Sequence, residues 1–242
     1  MSYFEKDAIS QSMIKLLLKD RKTFYHKYIL KSYDDVETTA LKEGKAFDLL
    51  ITEPENFSKE FTILEGVKTT TKSGHITEYQ YNCMLGMKRE LFNHIYEDDI
   101  NVQDLIKCGT FQEELYWNDN YSWLDCKAKL DWISNGKTLI IDIKTTASIE
   151  GVYWDIIKYG YDIQAAMYTR AIKQLYGVDA EFVFIFIGKS SPYNVVKVKL
   201  DAEVLADAVK KLEHGFDLYN SYKLSNDWER DSSEFLIIEK RR

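Results

Sequence analysis

The spacing of apolar positions changes along the chain, from helical in the first hundred residues to alternating after about residue 110. Over residues 9–30, Met13, Leu16, Leu17, Phe24 and Tyr28 recur at helical spacing behind Ser10, a residue suited to capping. A second helix is expected over residues 38–51, where Leu41, Gly44, Phe47, Leu50 and Ile51 are apolar or small, and Glu53-Pro54-Glu55 ends it. Gly44 inside a helix costs about 1 kcal/mol relative to Ala, so close backbone packing is expected there. Residues 61–74, with Lys68-Thr69-Thr70-Thr71-Lys72-Ser73-Gly74, read as a surface loop or a substrate-side lid. Thr77-Glu78 opens a helix to about residue 96, and a short one follows over residues 101–107.

Residues 110–117 and 122–133 predict two strands joined at Asn118-Asp119-Asn120. In the second, Cys126, Ala128 and Leu130 alternate with Lys127, Lys129 and Asp131. The turn Asn135-Gly136 leads into Leu139-Ile140-Ile141-Asp142-Ile143-Lys144-Thr145-Thr146, a strand apolar enough to be buried on both faces. Asp142 and Lys144 interrupt it and point to one side. Helices follow over residues 149–159 and 162–176, broken at Gly160, with Gln164 and Tyr168 on one helical face. Strands over residues 181–187 and 194–200, an amphipathic helix over 201–222 and a charged edge or tail over 226–242 complete the chain. The pattern predicts an α/β fold, a central mixed β-sheet flanked by helices. One domain over residues 1–242 is expected, mainly helical to 110, with the sheet and its helices over 111–200 and the last helix and tail over 201–242.

Composition adds little to this picture. Hydrophobic content of 45% and charged content of 29% are those of a globular protein. The Trp and Tyr residues are expected mostly in the core. A net charge of -7 argues against a general nucleic-acid binder, but is compatible with a divalent-metal enzyme whose ion screens an acidic site. Cys83, Cys108 and Cys126 form no CxxC pair, so reduced thiols are expected in place of a zinc or iron–sulfur centre. No signal peptide and no membrane span is read in the chain, and a soluble intracellular protein is the expectation.

The chemistry concentrates in the hairpin. It sets Asp131 and Asp142 on neighbouring antiparallel strands, within reach of one ion. Two carboxylates about 4 Å apart repel by roughly 4 kcal/mol at an effective dielectric of about 20, and a dication reverses that sign. Phosphodiester hydrolysis needs such an ion, an activated water and a cation beside them. Asp131 and Asp142 would supply two hard ligands and the Ile143 carbonyl a third, with Lys144 beside the water. An exposed hairpin with a salt bridge would show the same spacing. Asp48, among Phe47, Leu49 and Leu50, is either at the edge of a core or a ligand. The basic run of Lys15, Lys19, Arg21, Lys22, Lys27 and Lys31 is either a solvated helix face or a rim for a phosphate backbone; Lys15, Lys22, Lys68 and Lys72 are the DNA-binding candidates.

Lys129-Leu130-Asp131-Trp132, Ile140-Ile141-Asp142-Ile143-Lys144-Thr145-Thr146 and Tyr161-Asp162-Ile163-Gln164-Ala165-Ala166-Met167-Tyr168 together resemble the PD-(D/E)XK nuclease superfamily. Within it the chain is similar to RecE-type exonucleases (exonuclease VIII), relatives of the RecB nuclease domain, Cas4 and lambda exonuclease. The likeness spans about residues 9–176, and includes Ser10-x-Ser12 and Ile51-Thr52-Glu53-Pro54-Glu55-Asn56-Phe57. That group carries Gly-x-x-x-His where this chain has Gly44 to Asp48, so Asp48 is either a retained ligand or a lost one. A further acidic residue often precedes the first Asp, and Glu113 or Glu114 would fill that place. The resemblance implies catalytic roles for Asp131, Asp142, Lys144, Gln164 and Tyr168. Asp48, Asp131, Asp142 and Ile143 would hold magnesium, with manganese as a substitute. It also implies 5′-to-3′ digestion of double-stranded DNA ends, leaving a 3′ strand for a single-strand annealing protein. The setting would be the cytoplasm of a bacterial host, with the chain phage-encoded and working as a ring-shaped homo-oligomer, a trimer or tetramer. Alternatives are a Cas4-like single-strand or flap nuclease without an iron–sulfur cluster, a restriction-type endonuclease, and a silent DNA-binding protein of the same fold.

Overall fold

In a computed structural model, which describes residues 3–33 and 36–228, the first helical stretch is two helices, α1 (Gln11–Lys19) and α2 (Arg21–Phe24), and a π-helical turn at Tyr25–Ile29. They part at Asp20, whose carboxylate accepts the Thr23 N–H at 3.0 Å and caps α2. Ser10 occupies the N-cap of α1, but its hydroxyl meets that of Ser12 at 2.9 Å instead of capping. Helix α3 (Thr39–Thr52) is capped by Thr38, and α4 (Phe57–Glu60) follows Pro54. Part of the expected loop is a parallel strand pair, β1 (Thr62–Leu64) with β2 (His75–Thr77), and the buried Lys42 ammonium holds the connection by donating to the Thr70 and Lys72 carbonyls at 2.8 and 3.1 Å. A full capping box of Thr77 and Gln80 starts α5 (Glu78–Asn93). The short hairpin β3 (Ile95–Glu97) and β4 (Ile100–Asn101) and helix α6 (Val102–Leu105) then lead to the main sheet.

That sheet has the order β5 (Gly109–Asn118), β6 (Asp125–Ser134), β7 (Leu139–Thr146), β8 (Glu181–Gly188), β9 (Val195–Lys199). Its neighbours are antiparallel except β7 and β8, which are parallel across all eight residues. The parallel return runs through α7 (Val152–Lys158) and α8 (Tyr161–Tyr176), as a crossover requires. Two apolar layers enclose the sheet. Ile140, Phe184 and Phe186 meet α1, α8 and the last helix, α9 (Ala202–Ser225), through residues such as Ile14, Ile172 and Phe216. Trp132, Ile141, Val183 and Ile185 meet α3 and α5 through Phe47, Leu50, Met84 and Leu91. Each of these large side chains contributes on the order of 1.5–3 kcal/mol by leaving water.

One irregularity positions the site. Strands β6 and β7 pair only at Trp132–Ile141 and Ile133–Ile140, although β5 and β6 stay paired to Asn118–Asp125. Beyond Asp131 and Asp142 the two strands part. Edge groups of the parted strands find other partners, since a buried unpaired amide costs about 1–3 kcal/mol. The Ile9 N–H donates to the Asp125 carbonyl and the Lys127 N–H to the Ile9 carbonyl, both at 2.8 Å. The Tyr168 hydroxyl donates to the Lys129 carbonyl at 3.0 Å. The Ile143 N–H donates to Asp131 Oδ2 at 3.0 Å.

Two sequence expectations are corrected here. A Cβ on Gly44 would meet nothing within 4 Å, so the glycine leaves a bare face on α3 one turn before Asp48 and does not serve close packing. Trp123 and Trp154 are exposed, at 75% and 71%, because each sits on an outward turn or helix face beyond the two layers. The charged tail expected over residues 226–242 lies outside the described residues from 229 onward.

Candidate active site

The site forms where β6 and β7 separate. The register that ends at Trp132–Ile141 makes Asp131 and Asp142 the next opposed pair. Asp142 is fully buried. Its Oδ1 faces the Lys144 ammonium in an ion pair and its Oδ2 accepts the Gln164 side-chain amide. Gln164 is fixed by burial on α8, so the carboxylate is gripped from both sides. Burial, the charge of Asp142 and the more distant Asp48 push the Asp131 carboxyl well above the ordinary range, against the pull of Lys144 and the Ile143 N–H. Burial works against the Lys144 ammonium, but Asp142 and Asp131 outweigh it and hold Lys144 firmly protonated.

Asp48 approaches from α3. Its Oδ2 accepts the Gln112 side-chain amide at 3.4 Å. Burial, opposed by Lys144 and helped by Asp142, raises its pKa to about 6. Gln112 lies in mid-β5 in the left-handed region, φ 54°, where a non-glycine residue is rare. Its place in the β5 register is opposite Asp131. Sequence reading missed this residue, and only the strand backbone reveals it. Glu113 and Glu114 are turned elsewhere: Glu113 pairs with Lys137 at 2.9 Å, and Glu114 accepts the Tyr116 hydroxyl at 2.7 Å.

Lys15 comes in from α1. Its aliphatic stem lies against Gly160, where a Cβ would stand 2.8 Å from Lys15 Cδ, and Gly160 also adopts φ +62° at the start of α8. The Tyr161 ring lies near two ammonium groups, with Lys15 Nζ at 5.5 Å and Lys144 Nζ at 5.3 Å from its centre. Burial and the nearby Lys144 lower the Lys15 pKa to about 8. Lys22, Lys68 and Lys72 are exposed on α2 and on the β1–β2 connection. Tyr168 is buried with its hydroxyl on the Lys129 carbonyl, so it braces the parted strand β6.

The donor set suits a hard cation. Asp131 and Asp142 oppose each other, Asp48 adds a third oxygen donor within their electrostatic reach, and the Ile143 carbonyl lies on the strand between Asp142 and Lys144. Among the described residues no three His, Cys, Asp or Glu side chains stand together in ligand geometry, and Lys144, Gln164 and the Ile143 N–H are partners of the Asp142 and Asp131 carboxylate oxygens. Ionised Asp131, Asp142 and Asp48 would set three negative charges against the one Lys144 ammonium, and a dication would neutralise the two that remain. The cysteines are free and sit on α5, before β5 and on β6. Among the described residues no helix is long and apolar enough to cross a membrane.

Comparison with solved structures gives the same architecture. A crystal structure of a "Putative exonuclease" from Eubacterium rectale aligns with 100% of this chain and 96% of its own, at 16% identity and a TM-score of 0.73. At that identity the likeness shows the fold. A second solved structure covers 90% of this chain and 79% of its own at 16% identity, and its TM-score of 0.43 carries no argument. No curated protein matches the chain. A family model described as "PDDEXK-like domain of unknown function (DUF3799)" matches residues 10–235, nearly the whole sequence, and the chain belongs to that PD-(D/E)XK-like family.

Proposed function

We propose that the chain is a divalent-metal-dependent DNA nuclease with its reaction centre at the parting of β6 and β7. The observation that carries this reading is the opposed pair Asp131 and Asp142, with Lys144 ion-paired beside them. Asp131, Asp142 and the Ile143 carbonyl would hold magnesium, or manganese in its place, with Asp48 as the further oxygen ligand. When bound, the ion supplies positive charge to the scissile phosphate and acidifies a water. Gln164 fixes the rotation of the Asp142 carboxylate. Lys144 stays an ammonium and so orients the nucleophile and offsets developing charge; it does not act as a base. Lys15 offers a second cation on the same side, for a phosphate oxygen. The bare face of α3 at Gly44 leaves room for a strand to pass Asp48.

The narrower reading is an exonuclease that digests double-stranded DNA ends 5′ to 3′ and leaves a 3′ strand for recombination by an annealing protein. Its support is the ordered motif set Gly44 to Asp48, Asp131, Asp142 to Lys144 and Gln164 to Tyr168. The same resemblance suggests a ring-shaped oligomer inside a bacterial host cell. A ring would let an acidic chain keep its substrate by topology in place of bulk positive charge. The test uses linear duplexes labelled at the 5′ or the 3′ end, together with closed circular DNA, in magnesium. Early release of the 5′ label with the circle intact is expected. Early release of the 3′ label overturns the polarity, and cutting of the circle overturns the exonuclease reading.

A further inference from the structure

Helix α7 carries an aromatic face that the reaction centre does not use. Val152 and Ile156 anchor it in the core at 5% and 4% exposure, while Tyr153, Trp154 and Ile157 on its outer face are 66%, 71% and 46% exposed, and Tyr159 just beyond is 49% exposed. Leaving two adjacent aromatic rings in water forgoes the burial that such rings normally gain. Tyr153 and Trp154 meet edge to face at 5.1 Å, so they present one rigid surface. The next exposed ring along the chain stands beside the site. The Tyr159 ring lies 5.7 Å from that of Tyr161, which has the ammonium groups of Lys144 and Lys15 near it. Lys158 adds another cation 5.2 Å over Tyr159.

From this arrangement, and resting on the nuclease reading, we infer that the outer face of α7 with Tyr159 is a stacking platform for unpaired nucleobases of the strand handled at the site. A single strand presents flat apolar bases on a phosphate chain. Alternating rings and ammonium groups match both parts, and stacking of this kind tolerates any base sequence. The six steps from Tyr153 to Tyr159, at the C-cap of α7, span about 9 Å, enough for more than one base. Beside α7 lies a groove of about 420 Å³, lined by Tyr153, Ile157, Val196, Val198 and Leu200 among others, and a second copy of the chain is the rival occupant for this face. The contact of Tyr159 with Tyr161, the ring beside the site lysines, favours nucleic acid over that occupant.

The test measures binding of a labelled oligothymidylate to the full chain without divalent metal, beside magnesium-dependent cleavage of linear duplex by the same preparation. Tyr153→Ala/Trp154→Ala removes two exposed rings and should weaken oligothymidylate binding by about ten- to a hundredfold, the loss of one or two stacks. Tyr153→Phe/Trp154→Phe should restore it, with the sedimentation coefficient of all three proteins equal. Equal binding by the alanine variant overturns the platform while cleavage by the parent keeps the nuclease reading. Weaker binding that comes with a change of oligomeric state also overturns it, and assigns the face to a subunit contact. A parent that binds through these rings yet cleaves nothing in magnesium keeps the platform and removes the nuclease reading.

Discussion

Asp48 and Asp142 are both carboxylates of one site, yet their surroundings set them different tasks. Asp142 is gripped by Lys144 and Gln164, whereas Asp48 has one long contact with Gln112 and a pKa raised to about 6 by burial. The folded chain therefore keeps the Asp48 proton to about pH 6, and the unfolded chain only to about pH 3.9. Between those values the folded state binds more protons, so stability falls as pH rises through the window. Asp48→Asn removes this loss. In metal-free buffer the variant should exceed the parent by about 1–3 kcal/mol above pH 6 and match it below pH 4, as read by urea unfolding. Magnesium should then stabilise the parent more than the variant. A constant offset at every pH would show that Asp48 is not the titrating group. Asp131, Asp142 and Lys144 were legible in the sequence because charges on an apolar strand are costly. Gln112 was not, since its signal is a backbone angle in a strand of ordinary composition.

At the level of elements, the parting of β6 and β7 makes the candidate site, and the parted edges are held by single groups. Tyr168→Phe removes the donor to the Lys129 carbonyl and should cost about 1–3 kcal/mol in urea unfolding. An unchanged midpoint would mean that water replaces the hydroxyl and that Tyr168 does not brace β6. Gln112→Gly relieves the left-handed backbone strain, so stability should stay within about 1 kcal/mol of the parent. The same change frees Asp48, and the magnesium concentration needed for cleavage should rise. Lost stability with unchanged metal dependence would make Gln112 a purely structural residue. The hairpin turn Asn135-Gly136 and the alternation before it made the register readable. The separation was not readable, because it depends on Ile9 and Tyr168, far away in sequence, taking over β6's free backbone groups. Likewise the long first helix expected from its apolar spacing breaks at Asp20, where a local cap wins over continuity.

For the whole molecule, periodicity was enough to predict a mixed sheet between helical layers, because the alternating and helical stretches bury complementary faces. It was not enough to place the aromatic residues, since an exposed Trp154 and a buried Trp132 look alike in a sequence. The net charge of -7 opposes loose binding to DNA, so the electrostatic part of any affinity would come from a local cationic path such as Lys15, Lys144 and Lys158. Lys15→Met should therefore weaken duplex binding at low salt and flatten its dependence on salt, which a salt titration of binding reads directly. An unchanged salt slope would place Lys15 outside the DNA path.

The sharpest measurement compares the parent chain with Asp142→Asn, both shown to be folded by circular dichroism, on labelled linear duplex DNA with and without magnesium. Asn keeps the shape of Asp142 and its contact with Gln164 but removes the charge that the ion requires. Cleavage by the parent only when magnesium is present, with at least a hundredfold loss in the variant, is the expected result, on the order of 2.7 kcal/mol in the barrier. Equal cleavage by the two proteins, or cleavage by the parent that survives chelation, would contradict a metal-dependent reaction centre at the parting of β6 and β7.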